Sequence, residues 1–377
     1  MRAVLRASVI LLVTLALGCD PPPAPSDAGT TPDAPPVLDA LVDAELERMC
    51  AERAPTVLGG VLAVVGRDGV RRYGTCGSAD RAHTREVVPS DRFRVGSITK
   101  MFTAALTLML VDEGAVSLDD TVASFGVVTD AADAIRVRHL LSHSSGLVDY
   151  NSEAAFDWSR SWMIPEVIAW VTDNYEPSFA PGMGVGYSGT GYQVLAEIAG
   201  SEGRPAYAVA LREHILSPLG LGHTFLEGAE PILGGRVEGS IYTSGTEPGP
   251  PGITNDWASA DGSLVSSAPD LLTFMQHLFV DRDLVSEAGV TAMTTQATLE
   301  DGTPVEVFGD REPYGLGVLI EDAAGGPIYW HGGTDYGFRA YAGIQPATGR
   351  AVVVLLNSET VNPRGIADEA WARLVAR

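Results

Sequence analysis

The chain has 377 residues, 45% of them hydrophobic and 19% charged, a globular profile that excludes an intrinsically disordered protein. Its 25 basic residues stand against 48 acidic ones for a net charge of -23, and no basic run is present to neutralise phosphates, which excludes nucleic acid as a partner. All the basic residues but one are arginine, and the single lysine is Lys100.

The N-terminus reads as an export signal. Arg2 and Arg6 give a positive start, Val9 to Leu17 an apolar stretch too short to span a bilayer, and Ala16-Leu17-Gly18-Cys19 a small-residue cleavage site. With Cys19 directly after Gly18, the stretch resembles a bacterial lipoprotein signal. That resemblance implies a signal peptide over 1–18 and a lipidated Cys19. It also implies an exported protein, on the periplasmic or cell-surface face, held to a membrane by its lipid. An ordinary secretory signal with a chance cysteine is the alternative. Residues 19–36 are rich in Pro, Ala and Asp, can bury almost nothing, and read as a disordered tether. Cys50 and Cys76 remain, and they either pair in an oxidising compartment or stay as two buried thiols.

Residues 37–377 form the folded part. Val37 to Met49 carries apolar residues at helical spacing. Thr56 to Val65 and Val70 to Thr75 read as strands joined by the turn Gly66-Arg67-Asp68-Gly69. Ile98 to Val111 is apolar nearly all round, as a buried helix should be, and ends before Gly114. Helices follow at Ile135 to Ser142, Ile164 to Asn174, Gly191 to Ala199 and Ala206 to Leu216, then Pro- and Gly-rich loops from Glu230 to Ile253. Ser267-Ala268-Pro269-Asp270 opens another helix with a capping-type start. Pro327 to His331, Phe338 to Ile344 and Ala351 to Asn357 read as strands, and Ile366 to Val375 as a closing helix. Strands at both ends around a helix-rich middle predict an α+β fold: one antiparallel sheet built from the two ends, flanked by helices, with an inserted helical lobe.

Ser97 and Lys100 lie three residues apart at the mouth of the buried helix, so their side chains share one face. A serine hydroxyl needs a group to take its proton, and burial lowers the pKa of a lysine so that it can serve. The Ser97 N–H, at a helix start, is placed to stabilise an oxyanion.

The surrounding stretches, in order, resemble the serine hydrolases related to class C β-lactamases and to penicillin-binding D-alanyl-D-alanine carboxypeptidases. They are Phe93-Arg94-Val95-Gly96-Ser97-Ile98-Thr99-Lys100, Leu140-Leu141-Ser142-His143-Ser144-Ser145-Gly146, Tyr187-Ser188-Gly189-Thr190-Gly191-Tyr192, Asp261-Gly262-Ser263-Leu264, Tyr314-Gly315-Leu316-Gly317 and Trp330-His331-Gly332-Gly333. The resemblance implies Ser97 as acylated nucleophile, Lys100 as its base and Tyr187 as the phenol that shares proton transfer. His331 and Gly333 match the third box, and the N–H of Thr334 is implied as the second oxyanion donor. His143 is expected to be scaffold; Arg339, on the following strand, either meets a substrate carboxylate or, as the favoured reading, is a solvated side chain.

Two departures bear on specificity. The family's second box usually ends in an Asn that contacts the substrate amide, and Gly189 stands there. Its third box commonly begins with Lys, and His331 stands there, a weaker ligand for a carboxylate. The expectation is a monomeric, cofactor-free and metal-free hydrolase that cleaves amides or esters through an acyl-enzyme. Its substrate would be a small or peptide acyl compound, such as a cell-wall D-alanyl peptide, an ester or a β-lactam. A carboxylesterase, or a catalytically silent cell-wall-binding lipoprotein, is the alternative.

Overall fold

The computed structural model describes residues 38–53, 57–201, 203–240, 257–309 and 312–375. The signal peptide, Cys19, the tether and most of the Glu230 to Ile253 connection lie outside the described residues.

In chain order, α1 (Leu38–Arg53) leads into the hairpin β1 (Gly59–Val65) and β2 (Arg71–Gly77). Short β3 (Phe93–Arg94) precedes α2 (Thr99–Asp112), α3 (Val137–Leu141), α4 (Ile164–Asn174), α5 (Gly189–Ala199) and α6 (Tyr207–Leu211). Next come β4 (Phe225–Leu226), β5 (Leu264–Ser266), α7 (Ala268–Met275) and α8 (Glu287–Thr294). The hairpin β6 (Glu306–Val307) and β7 (Glu312–Pro313) is followed by β8 (Leu319–Glu321), β9 (Ile328–Asp335), β10 (Phe338–Gln345) and β11 (Arg350–Leu356), and α9 (Pro363–Ala370) closes the fold.

The main sheet runs β2-β1-β11-β10-β9-β8 with antiparallel neighbours throughout. Strands from both ends of the chain meet at β1 and β11, where Val61 pairs with Leu355 and Ala63 with Val353. Successive side chains of a strand point to opposite faces. Val61, Ala63, Val353 and Leu355 therefore pack toward the helical lobe, while Leu62, Val64, Val352 and Val354 pack toward α1 and α9. Both faces are covered, which is why β1 and β11 read as unbroken apolar runs rather than alternating ones.

Local chemistry sets the element ends. The Ser267 hydroxyl accepts from the Asp270 N–H at the start of α7, and the Ser188 hydroxyl accepts from the Gly191 N–H at the start of α5. The closing helix begins at Pro363 rather than Ile366, because Asn362 caps it through the Arg364 N–H at 2.9 Å and Pro363 occupies its first position. Cys50 on α1 and Cys76 on β2 are joined in a disulfide, with Cα atoms 6.7 Å apart. Of the two alternatives left open by spacing, the structure holds the paired one.

Candidate active site

Ser97 lies in a single tight turn, Gly96–Ile98, that leads directly into α2. The turn is pinned from two sides. The Val95 N–H donates to the Leu264 carbonyl at 3.0 Å, and the Thr99 hydroxyl donates to the Gly96 carbonyl at 2.7 Å while accepting from the Leu264 N–H. On the other side β9 presses in: an ideal Cβ on Gly333 would fall 1.9 Å from the Val95 carbonyl oxygen. Only a glycine permits that approach, and it brings Ser97 and Thr334 to the wall of one cleft of about 420 Å³.

Lys100 is fully buried in the first turn of α2. Its Nζ donates to Ser97 Oγ at 3.1 Å and to the Asp261 carbonyl at 2.9 Å, and it lies 3.4 Å from Asp261 Oδ2. The expectation that burial frees this amine of its proton does not hold. Burial does pull the Lys100 ammonium down, but the facing Tyr187 and Asp261 outweigh it and hold the amine above its ordinary value.

The Tyr187 ring packs on His143 at a tilt of 33°, with centroids 4.2 Å apart, and Lys100 Nζ lies 4.9 Å from its centre. Its hydroxyl is buried with no hydrogen-bond partner among the described residues. Burial pushes this phenol up, and Lys100 opposes the shift.

His143 serves the scaffold, as expected. Its carbonyl accepts from the Gly186 N–H and its Nδ1 from the Ser188 N–H, so both ends of the Tyr187 turn hang on one residue. With Nδ1 accepting, the ring proton is on Nε2, 3.2 Å from the Tyr314 hydroxyl. The same hydroxyl lies 3.3 Å from His331 Nε2, and His331 Nδ1 faces the Gly332 carbonyl at 2.7 Å. Burial pushes the His331 imidazole down to about 3. The expectation of a substrate contact from this ring is therefore corrected: His331 is 1% exposed and neutral, with neither nitrogen free for a carboxylate. It borders a second recess of about 590 Å³ beside Ser97, where Phe308 and Trp330 form apolar walls.

Gly189, at the end of the second box, leaves no side chain to meet a substrate. It is buried at the start of α5, and its N–H donates to Asp149 Oδ1 at 2.8 Å. A Cβ there would fall 2.4 Å from Asp261 Oδ2 and 2.5 Å from Asn151 Nδ2. Arg339 is half-buried and borders the cleft, donating to the Asp335 and Phe338 carbonyls.

Sequence reasoning missed Asp261 itself, together with Asp149, Tyr150 and Asn151, which line the same cleft. The available signal was the absent side chain at 189, which must be replaced by something from elsewhere. His139 and His143 stand four residues apart, a spacing that can bind zinc on one helix face. α3 ends at Leu141, so the two rings part: His139 faces Glu300 and His143 faces Tyr314. Among the described residues no three His, Cys, Asp or Glu side chains are grouped to hold a metal ion.

A serine and a buried lysine at hydrogen-bond distance, with a phenol over both and two backbone segments pressed together at an open cleft, define a serine hydrolase site of the acyl-transfer type. The family model described as Beta-lactamase matches residues 38–377, and the chain belongs to that family, as a serine hydrolase. Penicillin-binding protein 4* of Bacillus subtilis (strain 168) is 27% identical over 281 residues, 70% of this chain and 60% of that protein. D-aminopeptidase of Gluconobacter oxydans (strain 621H) is 26% identical over 305 residues, 79% of this chain and 55% of that protein. The chain thus spans little more than half the length of these two relatives. Among solved structures, the D-stereospecific amidohydrolase from Streptomyces sp. superposes with a TM-score of 0.72 at 27% identity, over 88% of this chain and 98% of that one.

Proposed function

We propose that this protein is an exported, lipid-anchored hydrolase that acts through an acyl-enzyme on Ser97 and cleaves amide bonds of D-aminoacyl compounds bearing a free amine. The observation that carries the chemistry is the 3.1 Å contact between Ser97 Oγ and Lys100 Nζ at the floor of the cleft. Ser97 Oγ bonds to the substrate carbonyl carbon, and its proton passes through Tyr187 and Lys100 to the leaving nitrogen as that bond breaks. The oxyanion rests between the N–H groups of Ser97 and Thr334. Water then attacks the acyl-enzyme, its proton passes through the same pair to Ser97 Oγ as the acyl bond breaks, and the acid leaves.

Two features support the choice of substrate. The relatives include a D-aminopeptidase and a D-stereospecific amidohydrolase. The cleft carries Asp149, Asp261, Asp335 and Glu359 against Lys100 and Arg339, a balance that favours a cationic substrate over an anionic one. Gly189 supports a second reading, an esterase, because no side chain at 189 contacts a substrate amide. Export and anchoring rest on the pattern from Arg2 to Cys19.

The test combines a fluorophosphonate probe with three nitrophenyl or nitroanilide substrates: a D-alanyl anilide with a free amine, its N-acetyl form, and a short ester. The expected result is covalent label on Ser97 and fastest turnover of the free-amine anilide. Folded protein that takes no label on Ser97 removes the hydrolase reading, and faster turnover of the N-acetyl form removes the proposed substrate class.

A further inference from the structure

Asp261 is a buried carboxylate whose partners come from four separate segments. Oδ1 accepts from the Tyr150 hydroxyl at 2.8 Å, from Gln193 Nε2 at 2.6 Å and from the Ser259 hydroxyl. Oδ2 accepts from Asn151 Nδ2 at 3.1 Å and faces Lys100 Nζ. A carboxylate this enclosed, accepting this many hydrogen bonds, is held in its ionised form. It reaches Lys100 only because position 189 is glycine, since any Cβ there would collide with Oδ2.

An ammonium has three N–H groups, and Lys100 Nζ has three acceptors in range: Ser97 Oγ, the Asp261 carbonyl and Asp261 Oδ2. Two of the three belong to Asp261, so one residue both aims the amine and supplies its counter-charge. The other groups around Nζ are Asp149, the rings of Tyr187 and Tyr192, and the neutral imidazoles of His143 and His331. Of these Tyr187 also holds the amine up, and among the described residues Asp261 is the one carboxylate in contact with Nζ. Burial pushes the Asp149 carboxyl up, and the nearby Asp261 charge adds to that shift.

We propose that Asp261 is a positioning residue for the nucleophile: its carboxylate fills the space that a side chain at 189 would take, fixes Lys100 beside Ser97, and stands as its buried counter-charge. The assignment rests on the acyl-transfer reading of Ser97 for its catalytic meaning. Lys100 then meets Ser97 as a cation: it hands one proton to the leaving group as it receives the Ser97 proton through Tyr187, so its charge is restored within the step.

The single lysine makes a direct test available. Full-length protein carrying lysine labelled with carbon-13 at Cε gives one lysine signal, and its pH titration reads Lys100 alone. In Asp261→Asn the titration midpoint drops by roughly 1–3 pH units, the size expected when an opposite charge in contact is removed. Gly189→Ala displaces the carboxylate without deleting it and moves the midpoint the same way. The alkaline limb of Ser97 acylation by a nitrophenyl ester moves down with it. An unshifted midpoint in both folded variants overturns the proposal. The signal does not depend on turnover, so failure of the hydrolase reading shows separately, as no acylation beside an intact midpoint shift.

Discussion

Replacing Lys100 with methionine cuts acylation of Ser97 by on the order of 10⁴-fold, as expected when one member of a nucleophile's proton-transfer group is removed. The same change strands the buried Asp261 carboxylate without its counter-charge, and leaving one partner of a buried ion pair alone costs about 3–5 kcal/mol. Lys100 is fully buried and Asp261 nearly so, so solvent gives little relief. The two effects separate in the double variant Lys100→Met, Asp261→Asn. With both charges gone, most of the stability returns, because Tyr150, Gln193 and Ser259 still find a polar partner at 261. Acylation stays lost. Chemical denaturation and the rate of fluorophosphonate labelling measure the two quantities independently. A Lys100→Met protein that labels at the native rate would show that the lysine has no part in the chemistry.

Gly333→Ala lowers the acylation rate by roughly 10²–10³-fold, the range seen when an oxyanion donor is displaced. The added methyl group would meet the Val95 carbonyl at 1.9 Å, a backbone atom that cannot rotate away. β9 must then withdraw from the turn that carries Ser97, and the N–H groups of Ser97 and Thr334 separate. Gly332→Ala is the matched control. Its Cβ would sit 3.8 Å from the Trp330 ring and 3.9 Å from the Ala340 carbonyl, both ordinary contacts, so its rate stays within a few-fold of the native one. Burst kinetics on a nitrophenyl ester measure both variants. Equal losses at 332 and 333 would mean that the strand's flexibility, not its approach to Ser97, is what the glycines supply.

Much of the fold was legible because its signals are local. The apolar runs of β1 and β11, the turn between β1 and β2 and the caps of α5 and α7 each depend on residues within a few positions of one another. The same holds for Ser97 and Lys100, whose contact follows from helical spacing alone. His331 was misjudged for the opposite reason. A strand position is readable from its neighbours, but which way its ring nitrogens turn depends on Tyr314, which arrives from another segment.

The charge of Lys100 shows the same division. That this chain has one lysine, three residues after a serine and at the head of an apolar helix, is a property of the sequence, and it was enough to locate the chemistry. Whether that lysine rests as a free amine or as an ammonium is not, because burial and a counter-charge push its proton affinity in opposite directions. Burial was predictable from the apolar helix. The counter-charge comes from Asp261, 161 residues away, admitted by a glycine at 189, and only the folded chain brings those three positions together.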